Sequence, residues 1–188
     1  MKTDIILAGV GGQGILSVAA VIGEAALEDN LYMKQAEVHG MSQRGGDVQS
    51  HLRIGNRPIA SDLIPLGQAD IIISLEPMEA LRYLPYLKKD GWIVTHSKPF
   101  ENIPDYPELA QIMQAYETLP HKVILNAEQI AKDLGAPRSE NMVLLGAASP
   151  YLPMDFSKLE NGIRRIFGKK GNEVVEMNLR ALEAGKKR

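Results

Sequence analysis

The chain has 188 residues, of which 45% are hydrophobic and 23% are charged, a composition typical of globular proteins that excludes disordered, collagen-like and coiled-coil chains. Its 21 basic and 23 acidic side chains give a formal net charge of −2, so overall charge provides no attraction to nucleic acid or to anionic membranes. The chain has no cysteine, which excludes disulfides, thiol nucleophiles and any iron–sulfur cluster held by its own thiolates.

The uncharged segment at residues 5–23 resembles a targeting signal in length only. Five glycines and Gln13 interrupt its 19 residues, and such a segment suits neither a membrane-spanning helix nor the core of a signal peptide. The chain length predicts one domain, residues 1–188. We therefore expect a single-domain cytoplasmic protein with neither nucleic acid nor a membrane as a partner.

Short apolar runs alternate with helical patterns along the first two thirds of the chain. Strands are predicted at residues 4–9, 31–38, 48–54, 69–75, 92–95 and 122–125, and the third is expected to be half-exposed because polar and apolar residues alternate in it. Helices are predicted over residues 14–28, from Pro77 through Leu87 and over 107–117. This alternation predicts a doubly wound, mostly parallel, Rossmann-like α/β sheet.

The last third of the chain is predicted to be a helical C-terminal segment. Residues 158–188 carry nine basic and four acidic side chains, which indicates a solvated basic face rather than a docking surface. Two helices are expected over residues 127–134 and 140–148. A third is predicted to begin at a Ser157–Glu160 capping box, and a last one carries Val175, Leu179 and Leu182 on one face.

A glycine loop follows the first predicted strand. Its sequence, Gly9-Val-Gly11-Gly12-Gln13-Gly14, fits the G-x-G-x-x-G pattern that precedes a helix in dinucleotide-binding folds. The pattern alone leaves two interpretations open, a phosphate-binding loop and a purely structural glycine turn. Under either one, we expect a Cβ at Gly12 or Gly14 to clash where the loop meets the helix.

The polar segment between the second and third predicted strands is the second candidate site. Arg44 offers a planar fork for a phosphate or carboxylate, and His39 can exchange protons near neutral pH. Ser42 and Gln43 lie between them in the sequence. The alternative is an ordered surface loop in which Arg44 pairs with a local acid such as Asp47.

Other arrangements carry weaker signals. Glu76 ends a predicted strand, where open α/β sheets bind ligands, although a helix cap before Pro77 is the favoured interpretation. The residue types of a hydrolytic triad are present, but the Gly-x-Ser-x-Gly elbow is not. The four histidines are far apart in the sequence, so we expect no metal site.

Four motifs follow one another along nearly the whole chain. They are Gly9-Val-Gly-Gly-Gln-Gly-Ile15, Glu37-Val-His-Gly-Met-Ser-Gln-Arg-Gly-Gly46 with Ser50-His-Leu-Arg53, Glu76-Pro-Met-Glu-Ala-Leu-Arg82 and Asn141-Met-Val-Leu-Leu-Gly146. Together, and in this order, they resemble the gamma-type subunits of 2-oxoacid:ferredoxin oxidoreductases, and the second motif is similar to that of the indolepyruvate-type small (beta) subunits.

The resemblance implies oxidative decarboxylation of a 2-oxoacid, with coenzyme A as a substrate and ferredoxin as the electron acceptor. It also implies that thiamine diphosphate and [4Fe-4S] clusters reside on a large partner subunit, because this chain has neither a thiamine motif nor cysteine. The chain itself is expected to bind no cofactor alone and to be inactive, with a homodimer as one state of the isolated subunit. The candidate ligand or interface residues are Gly11, Gly12, Gln13, Gly14, His39, Ser42, Gln43, Arg44 and Glu76.

Two other functional classes remain open at this point. A free-standing NAD(P)- or flavin-dependent oxidoreductase would need Glu37 to reach a ribose hydroxyl. A non-catalytic interaction module could use the same fold, since a fold does not determine a function.

Overall fold

A six-stranded sheet forms the centre of the protein, in a computed structural model that describes residues 1–39 and 45–188. The strand order is β2-β3-β1-β4-β5-β6. The strands are β1 (Lys2–Val10), β2 (Tyr32–His39), β3 (Asp47–Gly55), β4 (Ala69–Ser74), β5 (Leu87–His96) and β6 (Lys122–Leu125).

The predicted α/β class and mostly parallel sheet are confirmed, with one antiparallel strand inserted. β1, β4, β5 and β6 are parallel to one another, whereas β3 lies antiparallel between β1 and β2. The register runs from Lys2 opposite Gly55 to Val10 opposite Asp47. As a result, β2 ends and β3 begins at the end of the sheet where the glycine loop follows Val10.

Helices cover both faces of the sheet. On one face, α1 (Ile15–Glu28), α4 (Ala127–Asp133), α5 (Glu140–Ala148), α6 (Phe156–Phe167) and α7 (Asn172–Lys186) form the larger core with Ile5 and Leu7 of β1. On the other, α2 (Pro77–Arg82) and α3 (Leu109–Glu117) cover Ile6 and Ala8. β1 is therefore apolar on both faces, as its sequence predicts. No helix in the described part of the chain is long and apolar enough to cross a membrane.

The predicted half-exposure of β3 is wrong. His51 and Arg53 are buried because the segment that follows the strand folds back over this face. Ile64 donates its backbone N–H to Nδ1 of His51 at 2.9 Å. The Arg53 guanidinium binds the buried Asp4 carboxylate at 2.8 and 3.1 Å and the Leu63 carbonyl at 2.7 Å, so its charge is compensated.

Two helix predictions are also wrong in their boundaries. The helix that opens at Pro77 ends at Arg82 and not at Leu87, because a 3₁₀ turn follows over Leu84–Tyr86. Pro85 has no N–H to continue an α-helix, and the chain enters β5 directly afterwards.

The predicted capping box before α6 does not form. The helix begins at Phe156 with Asp155 as its N-cap, which places Ser157 inside the first turn. The sequence pattern is present, but it lies two residues too far along the chain to cap the helix.

Helices α5 and α7 approach each other through two glycines. A Cβ placed on Gly146 would lie 2.0 Å from the Leu182 carbonyl oxygen, and one on Gly185 would lie 1.9 Å from the Val143 carbonyl oxygen. Real Cβ atoms do not approach an oxygen so closely, so both positions require glycine at this helix spacing.

Candidate functional site

The glycine loop joins β1 to α1 at the carboxyl end of the parallel strands. Gly11 donates its N–H to the carbonyl of Gly46 at 2.9 Å, so the loop contacts the residue that precedes β3. Gly12 and Gly14 have φ values of 104° and 84°, which side-chain-bearing residues rarely adopt. Both conformations favour glycine.

The Gln13 side chain holds the loop against the sheet. Its Oε1 accepts the Val10 N–H at 2.7 Å, and its Nε2 donates to the Leu75 carbonyl at 3.0 Å. These contacts satisfy backbone groups at the ends of two neighbouring strands. The described contacts of Gln13 are therefore structural, and a ligand role for this residue stays a prediction.

Gly14 is fixed by Asn141 from the start of α5. The Asn141 Nδ2 donates to the Gly14 carbonyl at 3.2 Å, and a Cβ on Gly14 would lie 2.6 Å from the same nitrogen. At Gly12 a Cβ would meet nothing within 4 Å. The expected clash is confirmed at Gly14 and is wrong at Gly12, where only the positive φ opposes a side chain.

A cavity of about 770 Å³ lies behind the glycine loop. Its wall includes Gly12 to Gly14, the segment that leads into α5, and side chains from the start of α7. Arg138 and Lys170 supply positive charge, and Phe167 and Met177 supply apolar surface. Sequence reasoning missed Arg138, Lys170 and the contact made by Asn141. The glycine loop and the motif that begins at Asn141 were the sequence signals for this region.

Glu76 lies just after the carboxyl end of β4 and is the N-cap of α2. The side chain is fully buried and accepts the Glu79 N–H at 2.7 Å, the Phe100 N–H at 3.3 Å and the Tyr106 hydroxyl. The cap interpretation is confirmed. Because three donors surround this carboxylate, it joins α2 to the segment after β5, and a ligand role for Glu76 stays a prediction.

A second buried carboxyl group lies one turn further along α2. Glu79 is 1% exposed and accepts hydrogen bonds from Arg82 at 2.8 and 3.3 Å. Burial raises its pKa to about 6, and the nearby Asp47 carboxylate adds to this rise while Arg82 opposes it. Tyr83 donates its hydroxyl to Asp47 at 2.7 Å. Sequence reasoning did not identify this cluster, which joins α2 to the start of β3.

The polar segment between β2 and β3 is described only at its ends. His39 is the last residue of β2, whereas Ser42, Gln43 and Arg44 lie outside the described residues. At the far end, Asn102 donates its Nδ2 to the Gly45 carbonyl at 2.7 Å. The segment after β5 therefore contacts the segment that leads into β3.

We expect Gly14→Ala to destabilise the protein more than Gly12→Ala. Both substitutions force a side chain onto positive φ, at about 1–2 kcal/mol, but only Gly14→Ala also presses on the Asn141 amide. The measurement is the free energy of unfolding in urea, with Asn141→Ala added to each variant. Because Asn141→Ala removes the obstacle, it should partly offset the cost of Gly14→Ala and leave that of Gly12→Ala unchanged. Equal costs at the two glycines would contradict the geometry.

We expect Glu79→Gln to remove a pH dependence of stability. The folded-state pKa of Glu79 is raised from its ordinary 4.5 to about 6, so the folded state binds this proton more tightly than the unfolded state. The resulting stabilisation is complete below about pH 4.5 and is lost as the pH rises through about 6, with a total on the order of 2 kcal/mol. Urea unfolding of both proteins between pH 4 and 7.5 tests this, and profiles that run parallel would contradict it.

Comparison with known proteins identifies the family. The family model described as pyruvate ferredoxin/flavodoxin oxidoreductase matches residues 4–188. The indolepyruvate oxidoreductase subunit IorB of Archaeoglobus fulgidus is 37% identical over 98% of this chain and 94% of its own length. The pyruvate/ketoisovalerate oxidoreductases common subunit gamma of Pyrococcus furiosus is 25% identical over 92% of this chain and 89% of its own.

Solved structures show the same fold. The keto/oxoacid ferredoxin oxidoreductase gamma subunit from Geobacter sulfurreducens has a TM-score of 0.68 at 24% identity, covering 98% of this chain and 96% of that one. The 2-oxoglutarate:ferredoxin oxidoreductase from Magnetococcus marinus, with 2-oxoglutarate, coenzyme A and succinyl-CoA bound, has a TM-score of 0.76 at 23% identity, covering 99% of this chain and 30% of that one. The family match along nearly the whole sequence, together with the shared fold, means that this chain belongs to the pyruvate ferredoxin/flavodoxin oxidoreductase family.

Proposed function

We propose that this chain is the small, gamma-type subunit of a 2-oxoacid:ferredoxin oxidoreductase that acts on indolepyruvate or another arylpyruvate. The observation that carries the proposal is the 37% identity to an indolepyruvate oxidoreductase subunit over nearly the full length of both chains. The relative named for pyruvate and ketoisovalerate is only 25% identical, which favours the arylpyruvate substrate class.

The reaction requires groups that this chain does not carry. The complex would convert a 2-oxoacid, coenzyme A and oxidised ferredoxin into an acyl-coenzyme A, carbon dioxide and reduced ferredoxin. The sequence contains no cysteine, and it has no Gly-Asp-Gly motif of the kind that holds thiamine diphosphate. We therefore assign thiamine diphosphate and the [4Fe-4S] clusters to a large partner subunit, which would also pass electrons to ferredoxin.

The glycine-loop end of the sheet is the proposed contribution of this chain to the shared site. The carboxyl ends of parallel strands are where open α/β sheets bind ligands. At this end Gly11 contacts Gly45 and Gly46, and Asn102 also contacts Gly45, so the described residues that precede β3 lie next to the glycine loop. In the proposal, Arg44 binds an anionic group, either a phosphate of coenzyme A or the 2-oxoacid carboxylate.

Reconstitution with the large subunit tests the proposed function. The isolated chain should be colourless and folded, and it should not reduce a viologen dye with arylpyruvate and coenzyme A. Addition of the large subunit should produce that activity, with indolepyruvate preferred over pyruvate and 2-oxoglutarate. Activity of the chain alone, or saturable binding of a dinucleotide to it, would instead favour the free-standing oxidoreductase. A partner that lacks thiamine diphosphate would favour the interaction module.

Substitution of Arg44 tests the proposed anion contact. Arg44→Lys keeps the charge but loses the two-pronged geometry of the guanidinium, and Arg44→Ala loses both. In assembled complexes, the apparent affinity for coenzyme A or for the 2-oxoacid should fall roughly tenfold to a hundredfold, the value of one charge-assisted hydrogen bond.

A matched control separates this effect from a general loss of charge. Arg57 is exposed and lies just after β3, at the opposite end of the sheet from the glycine loop, so Arg57→Ala should leave both affinities unchanged. Unchanged kinetic constants in the Arg44 variants would make Arg44 a surface residue. Failure to assemble would make it an interface residue.

A further inference from the structure

The two edges of the sheet differ in length. β6 has four residues and β2 has eight, and each ends the strand order on its side of the sheet. A long edge strand presents backbone N–H and C=O groups to any extended chain that can pair with them. β2 contains no proline that would prevent such pairing.

One face of β2 carries an apolar residue near each end. Tyr32 is 51% exposed and Val38 is 50% exposed, and both lie on the same face because strand side chains alternate. On the opposite face, Met33 packs against the larger core beside Gly23 of α1. Tyr32 and Val38 are thus accessible on the other face of this edge strand.

We propose that β2 pairs antiparallel with β2 of a second copy of this chain, about a two-fold axis at Gln35, so that one sheet continues through both copies. In a symmetric antiparallel pair, facing residues have numbers that add to a constant. That constant is even, because the backbone groups that point toward the partner alternate along the strand. An axis at Gln35 gives a sum of 70. Tyr32 of each copy then lies opposite Val38 of the other, so the same pair forms at both ends of the contact.

Neighbouring registers are less favourable. An axis at Lys34 would place the two Lys34 ammonium groups directly opposite each other, and like charges in that position destabilise a sheet. An axis at Ala36 would place Lys34 opposite Val38 and remove the aromatic and β-branched pair. The axis at Gln35 places Lys34 opposite Ala36 and covers both exposed apolar side chains, which is the type of cross-strand pair that stabilises sheets.

The inference concerns the oligomeric state of the subunit and does not rest on the proposed activity. The β2 edge lies at the side of the sheet, beyond β3, whereas the cavity lies behind the glycine loop and between α5 and α7. Pairing through β2 therefore leaves the cavity open to other partners.

Sedimentation equilibrium of the full chain tests the pairing. The wild-type chain should be in a monomer–dimer equilibrium at micromolar to submillimolar concentrations. Val38→Lys should raise the dissociation constant of the dimer at least about tenfold, because it replaces an apolar pair at both ends of the contact. Leu66→Lys is the matched control, since Leu66 is 66% exposed and its neighbour Gly67 donates its N–H to the Pro85 carbonyl just before β5, a strand that three others separate from β2. It should leave the dimer unchanged.

A second variant tests the register. Tyr32→Glu combined with Val38→Lys places an introduced carboxylate opposite an introduced ammonium group of the second copy only when the axis lies at Gln35. The two positions are about 20 Å apart within one strand, so they cannot pair in a monomer. The double variant should therefore recover a dissociation constant within about threefold of the wild-type value.

Three results would overturn the proposal. The first is a wild-type chain that stays monomeric throughout this concentration range. The second is a dimer that Val38→Lys does not weaken, or one that the double variant does not restore. The third is a monomer in which Val38→Lys abolishes binding of the large subunit, which would assign the β2 edge to a strand of that subunit. Failure of the reconstituted enzyme to act on indolepyruvate would leave the dimer proposal standing.

Discussion

The amide of Gln13 fixes the geometry on which the glycine-loop end of this protein depends. It accepts from the last residue of β1 and donates to the residue that follows β4, so one side chain connects the loop to two strands. Loss of this amide would leave a donor and an acceptor without partners in a partly buried position, at a cost of about 1–3 kcal/mol for each. The positions of Gly14 and α1 follow from this connection, and Asn141 then joins them to α5.

Buried charge on the α2 side of the sheet is compensated locally. Glu76 is surrounded by two backbone N–H groups and the Tyr106 hydroxyl, which allows a fully buried carboxyl group that has no cationic partner among the described residues. Glu79 has Arg82 as its partner, but Arg82 is half-exposed and Asp47 lies nearby. The first carboxyl group therefore acts as a structural connector, while the second keeps a raised pKa.

Local signals in the sequence predicted much of the fold. The apolar run of β1 and the helical spacing of α5 are visible without any neighbour, and the predicted bounds of α5 and β6 match the structure. The prediction failed where a distant segment decides the outcome. His51 and Arg53 appeared polar and exposed in sequence, yet residues 61–64 cover them.

At the candidate site, the glycine loop and the cap at Glu76 could be predicted because each depends on a few adjacent residues. The cavity could not be predicted, because Arg138 and Lys170 reach it from segments far along the chain. The contact between α5 and α7 has a further consequence for how sequence can change there. At Gly146 and Gly185 the obstacle to a side chain is a carbonyl oxygen of the facing backbone. A smaller side chain elsewhere cannot make room for it, so a substitution at either glycine has no compensating partner and must move α7 itself, along with one wall of the cavity.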